Sequence, residues 1–210
     1  MAVVNDKNKF IFFHLYKCGG MSLRKLLEEN IEGSKEVLGG HCLPSDLKEH
    51  YYQRGEKYQN VFEEMFKFTI VRNPFSFLLS TYHYAKSYTN HFWHKKVINM
   101  EFKDFPQFYM SEVDRYAKSR EPGRNEVTTP YQFIRDKDGN VIMDFIGKLE
   151  NIDSDINIIL NNIGGNKIIM PKTNINPDNN KKYQEVYDSN TRAYVEKHFS
   201  KDLEYFEYEF

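Results

Sequence analysis

Lys9 to Leu27 reads KFIFFHLYKCGGMSLRKLL, and the rest of the chain is organised around it. It opens on the apolar run Phe10-Ile11-Phe12-Phe13, short, aromatic and β-branched, which predicts a buried strand. Leu23, Leu26, Leu27 and Ile31 then recur at the spacing of an amphipathic helix. Between them lies Tyr16-Lys17-Cys18-Gly19-Gly20-Met21-Ser22. A strand, a glycine-paired loop and a helix make the geometry of a phosphate site, or otherwise an ordinary strand-to-helix turn. The first amides of a helix lack intrahelical partners, and the helix dipole places partial positive charge on them. Lys17 adds a full charge, and Gly19 and Gly20 let the backbone wrap closely.

The loop is not a Walker A motif, in which the lysine follows the glycines and a metal-binding hydroxyl adjoins it. Nor is it the G-x-G-x-x-G of dinucleotide-binding folds. The order K-C-G-G-M-S-L resembles the K-[TS]-G-G-[TS]-S-L loop of the sulfotransferases. In that family the loop holds the 5′-phosphosulfate of 3′-phosphoadenosine 5′-phosphosulfate (PAPS). The resemblance implies donor contacts from Lys17, Cys18, Gly19, Gly20, Met21, Ser22 and Leu23. Cys18 and Met21 stand where the pattern usually has hydroxyls, so two side-chain donors are missing while backbone contacts remain.

A second strand signal, Phe66 to Val71, runs into Arg72-Asn73-Pro74. Asn73 is a good N-cap, and Pro74 fits the first helical position. Phe75, Leu78, Leu79 and Tyr82 follow at helical spacing. Arg72, Ser76 and Ser80 fall at i, i+4 and i+8, on one face, where an arginine fork and hydroxyls suit a phosphate monoester; taken alone, the pattern reads first as a salt-bridged arginine at a helix start. FTIVRNPFSFLLSTYHY also resembles the second sulfotransferase signature, a strand followed by V-R-[ND]-P and S-x-Y. That resemblance assigns Arg72 and Ser80 to the 3′-phosphate of the nucleotide.

Composition narrows the class. A net charge of −1 on 210 residues gives no global pull toward nucleic acid or anionic membranes. Two cysteines, one of them in the anion loop, are expected to be free thiols of a reducing compartment. The polar N-terminus MAVVNDKNK reads as neither a signal peptide nor an anchor, and no apolar run is long enough to span a bilayer. The expectation is a cytoplasmic protein, one domain over residues 1–210. Its fold class is α/β, with a mostly parallel, P-loop-like central sheet flanked by helices.

Elsewhere the signals are local. Val37 to His41 reads as a short strand. Ser45 is the expected N-cap of a helix that Gly55 closes, and Val141 to Ile146 reads as a strand. Ile152, Ile156, Ile159, Leu160 and Ile163 mark a helix ended by Gly164-Gly165, and Asp188 to Phe210 reads as a helix with an aromatic end. VIMDFIGKLENIDSD resembles a stretch of the carbohydrate-type sulfotransferases, and Glu150 within it is expected to be a buried, paired carboxylate. His91, His94, Lys95 and Lys96 form a basic knot, read as a solvated face or as a contact for an acidic or sugar acceptor. Lys172, Thr173 and Asn174 are expected near the nucleotide.

The resemblance implies transfer of a sulfuryl group from PAPS to an acceptor hydroxyl, on a carbohydrate or glycoconjugate, without a metal. Lys17 then meets the charge of the leaving group. His41, after Gly39-Gly40, is the candidate base, with His14 and carboxylates such as Glu101 and Asp104 as rivals. Two other classes stay open: a nucleotide-binding module without catalysis, and a kinase-like phosphotransferase. The absent G-K-[ST] weighs against the latter.

Overall fold

The computed structural model describes residues 2–37, 42–118, 129–165 and 182–210. In chain order, its strands are β1 (Ala2–Asn5), β2 (Phe10–Phe13), β3 (Lys35–Val37), β4 (Phe66–Val71) and β5 (Phe145–Lys148). Its helices are α1 (Gly20–Asn30), α2 (Pro44–Tyr52), α3 (Glu56–Glu64), α4 (Pro74–Ser87), α5 (His94–Val97), α6 (Phe105–Lys118), α7 (Pro130–Phe133), α8 (Ile152–Ile163), α9 (Ser189–His198) and α10 (Ser200–Tyr205). The chain forms two compact units: Met1–Val71 with Phe133–Thr173, and Arg72–Gln132 with Asn174–Phe210.

The first unit holds a five-stranded sheet in the order β3-β1-β2-β4-β5. The pairs β2–β4 and β4–β5 are parallel, while β1 pairs antiparallel with both β2 and β3. The sheet is therefore mixed, with a parallel half that carries the strand–loop–helix unit and an antiparallel edge. That edge corrects the reading of the N-terminus as a polar lead-in: Ala2–Asn5 is a buried strand. Asn5 is tolerated in it because its amide donates to Glu32 O at 3.0 Å and Ser34 Oγ at 3.1 Å, while its Oδ1 accepts from Asn8 N at 2.8 Å. A buried polar side chain with its partners made costs little.

Phe10, Phe12, Phe68 and Ile70 present one face of the sheet to Leu23, Leu27, Ile156, Ile159 and Leu160 of α1 and α8. The periodicity that predicts those two helices is thus their core stripe. α8 ends at Gly164 with φ 69°, and Gly165 N donates to Leu160 O at 2.9 Å, closing the last turn in left-handed geometry. On β4 the pleat turns Lys67 the other way. It is only 5% exposed, and its ammonium donates to Phe62 O, Glu63 O and Met65 O at 3.2, 3.2 and 2.6 Å, with Asp144 at 3.4 Å. A cation on the last carbonyls of α3 is electrostatically favourable.

Three local expectations shift. Leu43, not Ser45, is the N-cap of α2, because the Asp46 carboxylate reaches back to Leu43 N at 3.3 Å. Gly55 opens α3 rather than closing α2, and Phe62 is the only buried residue of α3. The strand expected over Val141 to Ile146 lies later. Asp144 ties to Lys67 through both backbone and side chain, and the β4–β5 ladder starts at Phe145.

The second unit has an aromatic core. Phe75 meets Phe210 edge-on at 4.8 Å and Tyr187 at 5.3 Å. Tyr82 packs on Phe105, and Trp93 on Tyr109. The expected C-terminal helix is two, α9 and α10, which meet at Phe199, and Asp188 caps the first by accepting from Thr191 N at 2.7 Å. Asp202 is buried and accepts from Tyr131 N at 2.8 Å, which fixes the start of α7. Burial pushes its carboxyl up to about 6.

Candidate active site

The chain leaves β2 through His14 and Leu15 and turns over Tyr16–Gly19 into α1. Lys17 (φ 57°) and Gly19 (φ 76°) both lie in the left-handed region. For glycine that geometry costs nothing special, but for lysine it stores roughly 1 kcal/mol or more. Each glycine has its own reason. A Cβ on Gly19 would stand 2.6 Å from Leu149 Cδ1, and a Cβ on Gly20 would overlap the His14 imidazole. α1 begins with no side-chain cap and no acid in its first turn. Leu23 N closes the first helical bond on Gly19 O at 3.4 Å. The amides of Gly20, Met21 and Ser22 precede that bond, and these are the groups that face an anion at a helix start.

The side chains sort by direction. Cys18 and Leu23 are fully buried, Ser22 is nearly so, and Met21 is 54% exposed. Cys18 and Cys42 are both free thiols. His14 stacks on Phe12 at 6.2 Å and 17° and lies against Gly20. Burial, with the positive charge of Arg24 adding, pulls its pKa down to about 4, so it is a neutral ring at neutral pH. This geometry makes His14 a wedge beneath the loop.

At the end of β4, Arg72–Asn73–Pro74 leads into α4. Asn73 caps the helix as its sequence predicts: Oδ1 accepts from Phe75 N at 3.0 Å, while Nδ2 donates to Glu209 O at 2.8 Å. Arg72 Nε donates to Ser76 Oγ at 2.8 Å, which sets the plane of the guanidinium. Arg72, Ser76 and Ser80 are each partly exposed, whereas Asn73 to Phe75 and Phe77 to Leu79 are buried. The i, i+4, i+8 positions therefore form the open face of the start of α4.

Several expected residues land elsewhere. His41 lies outside the described residues, as do Lys172, Thr173 and Asn174. Glu150 is exposed, which corrects the expectation of a buried carboxylate; its neighbour Leu149 turns toward Gly19 instead. The basic knot is largely structural. His91 Nδ1 accepts from Trp93 N, His94 Nδ1 meets Ala85 O, and Lys96 pairs with Glu112 at 3.0 Å. Sequence reading missed the support that Leu149, 130 residues away, gives Gly19 and that His14 gives Gly20, because both depend on side-chain packing that no local pattern reports. Among the described residues there is no group of three or more His, Cys, Asp or Glu that could hold a metal, and no helix long and apolar enough to cross a membrane.

A left-handed, glycine-paired turn thus leads from a parallel strand of an α/β sheet into a helix with no side-chain cap. The model of the sulfotransferase family matches residues 1–209, and the chain belongs to that family, whose reaction is sulfuryl transfer. No curated protein and no solved structure matches it.

Proposed function

We propose that the protein moves a sulfuryl group from PAPS to an acceptor hydroxyl of a carbohydrate or glycoconjugate in the cytoplasm. The observation that carries this reading is the turn at Lys17–Gly20. Two left-handed residues and two glycines that admit no Cβ shape the backbone there for close approach by an anion, within a sulfotransferase-family chain. The amides of Gly20, Met21 and Ser22 receive the 5′-phosphosulfate, so the missing hydroxyls at Cys18 and Met21 leave the grip with the backbone. Arg72, oriented by Ser76, and Ser80 hold the 3′-phosphate.

In the reaction the acceptor oxygen attacks sulfur as the bond from sulfur to the bridging phosphate oxygen breaks. Negative charge grows on that oxygen, and Lys17 with the helix-start amides balances it in place of a metal. The acceptor proton passes to His41, whose ordinary pKa near 6.5 leaves it neutral and receptive at cytoplasmic pH. The other product is adenosine 3′,5′-bisphosphate (PAP).

The test is calorimetry with PAP, ATP and GTP in the absence of Mg²⁺, followed by turnover of radiolabelled PAPS with a panel of sugars. Tight PAP binding with label appearing on a sugar is the expected result. Preference for ATP or GTP would sink the reading, and PAP binding without transfer to any acceptor would reduce the protein to a binding module.

A further inference from the structure

At the far end of the same sheet lies a cavity of about 650 Å³ that the transfer reaction leaves unused. Asp6, Lys9, Lys35 and Glu64 line it together with residues of α2 and α3. Lys9 directly precedes β2, and Glu64 stands two residues before β4, so these side chains mark the N-terminal ends of the parallel strands. The Gly19–Ser22 turn follows the opposite end of β2, roughly 13 Å of strand away.

The cavity has an apolar floor and a charged rim. Leu47 and Met65 are buried in it, with Val61 beside them. On the rim, Lys9 pairs with Glu64 at 2.7 Å and Lys35 with Asp6 at 3.1 Å. Arg54 is the remaining permanent cation. It makes no ion pair among the described residues, and its guanidinium lies 3.8 Å from the centre of the Tyr58 ring, which holds it in place. Tyr51 supplies the second polar group. It lines the cavity with its ring largely buried, while its hydroxyl, which makes no hydrogen bond among the described residues, stays open to solvent. Burial and Asp6 push its pKa up while Arg54 pulls it down, so these three groups act on one space.

We infer that this cavity is a binding site, separate from the transfer loop, for a small organic anion: a ring on the Leu47–Val61–Met65 floor, and one carboxylate or sulfate ester accepting from Arg54 and the Tyr51 hydroxyl. A hydroxyl open to the cavity and a cation with no ion pair among the described residues are complementary to such a group, whereas a neutral ring brings no charge to either. The inference does not depend on the transferase reading, since it concerns binding at the other end of the sheet.

Ligand-observed NMR on the full chain, without any sulfuryl donor, tests it with phenyl sulfate, benzoate and neutral benzyl alcohol. Saturable binding is expected for at least one anion, about tenfold or more tighter than for the alcohol. Which anion prevails identifies sulfate ester or carboxylate as the recognised group. Arg54→Gln, an exposed change that leaves the core intact, should abolish the advantage of the anion, and Tyr51→Phe should weaken binding about threefold or more. Excess PAP should displace nothing. Equal binding of anion and alcohol, indifference to Arg54→Gln, or competition by PAP would each overturn the site.

Discussion

The starts of α1 and α4 each come directly after a parallel strand in the chain, and they are built in opposite ways. α1 opens on Gly19 with no side-chain cap, after a strained lysine. α4 opens on Asn73, whose carboxamide seals Phe75 N, with Pro74 behind it. The first start leaves its amides to be satisfied by something other than its own cap. The second is closed, so any grip there must come from side chains, and Arg72, Ser76 and Ser80 are the ones on its open face. On the proposed function, the contrast is the reason the first loop can carry Cys18 and Met21 in place of hydroxyl residues. Backbone recognition needs geometry, which the two glycines supply, whereas side-chain recognition needs particular residues.

Lys17→Ala tests the first half of that contrast and has the largest expected effect. The transfer rate should fall roughly 10²–10³-fold, the scale for one lost charge-stabilising donor, while PAP binding falls less because the amides remain. Near-normal turnover in this variant would take Lys17 out of the reaction. For the second half, Arg72→Ala should weaken PAP binding by about 2–4 kcal/mol and leave adenosine 5′-phosphosulfate, which lacks the 3′-phosphate, almost unaffected. Equal losses for both nucleotides would mean that Arg72 does not read the 3′-phosphate.

Acid separates the two loops further. His14 has a folded pKa of about 4 against an ordinary 6.5. Its neutral form therefore contributes stability that is present above pH 6.5 and is lost as pH falls toward 4, at most about 3 kcal/mol. The α4 cap has no titrating group. Amide protection at Leu23, the first amide bonded within α1, should fall across that window ahead of protection at Phe77, its counterpart in α4, and His14→Phe should remove the difference. Hydrogen exchange followed by NMR at a series of pH values reads both; simultaneous loss in the wild type would break the contrast. The smallest effect belongs to Asn73→Ala, a lost cap worth about 1 kcal/mol of stability, measured by denaturant unfolding. A loss of PAP affinity larger than that, with stability unchanged, would show that the α4 start also meets the ligand directly.

These two starts were also the most legible parts of the sequence. Asn73-Pro74 after an apolar run, and Gly19-Gly20 between a strand and a helical stripe, are local signals whose causes lie within a few residues. The same holds for Gly164 at the end of α8. What could not be read depends on partners distant in the chain. Ala2–Asn5 is a strand because β2 and β3 flank it, and Asn5 inside it is a buried residue only because Glu32 and Ser34 take its hydrogen bonds. β5 begins at Phe145 and not at Val141 because Asp144 is tied to Lys67, and a pairing between residues 77 apart in sequence leaves no local trace. In the site, Arg72 with Ser76 followed from helical spacing. The fit of Leu149 against Gly19 and of His14 against Gly20 did not, since both are questions of packing.

Lys67 carries a practical consequence. Its amine is held among the carbonyls of Phe62, Glu63 and Met65, inside a strand that has neighbours on both sides. An acylating reagent that modifies exposed lysines such as Lys25 or Lys95 within its first moments can reach Lys67 only when β4 or the end of α3 lifts away. The rate at which Lys67 is labelled, followed by mass spectrometry, is thus a clock for the opening of the sheet at its central parallel strand, installed in the natural sequence and needing no engineered probe.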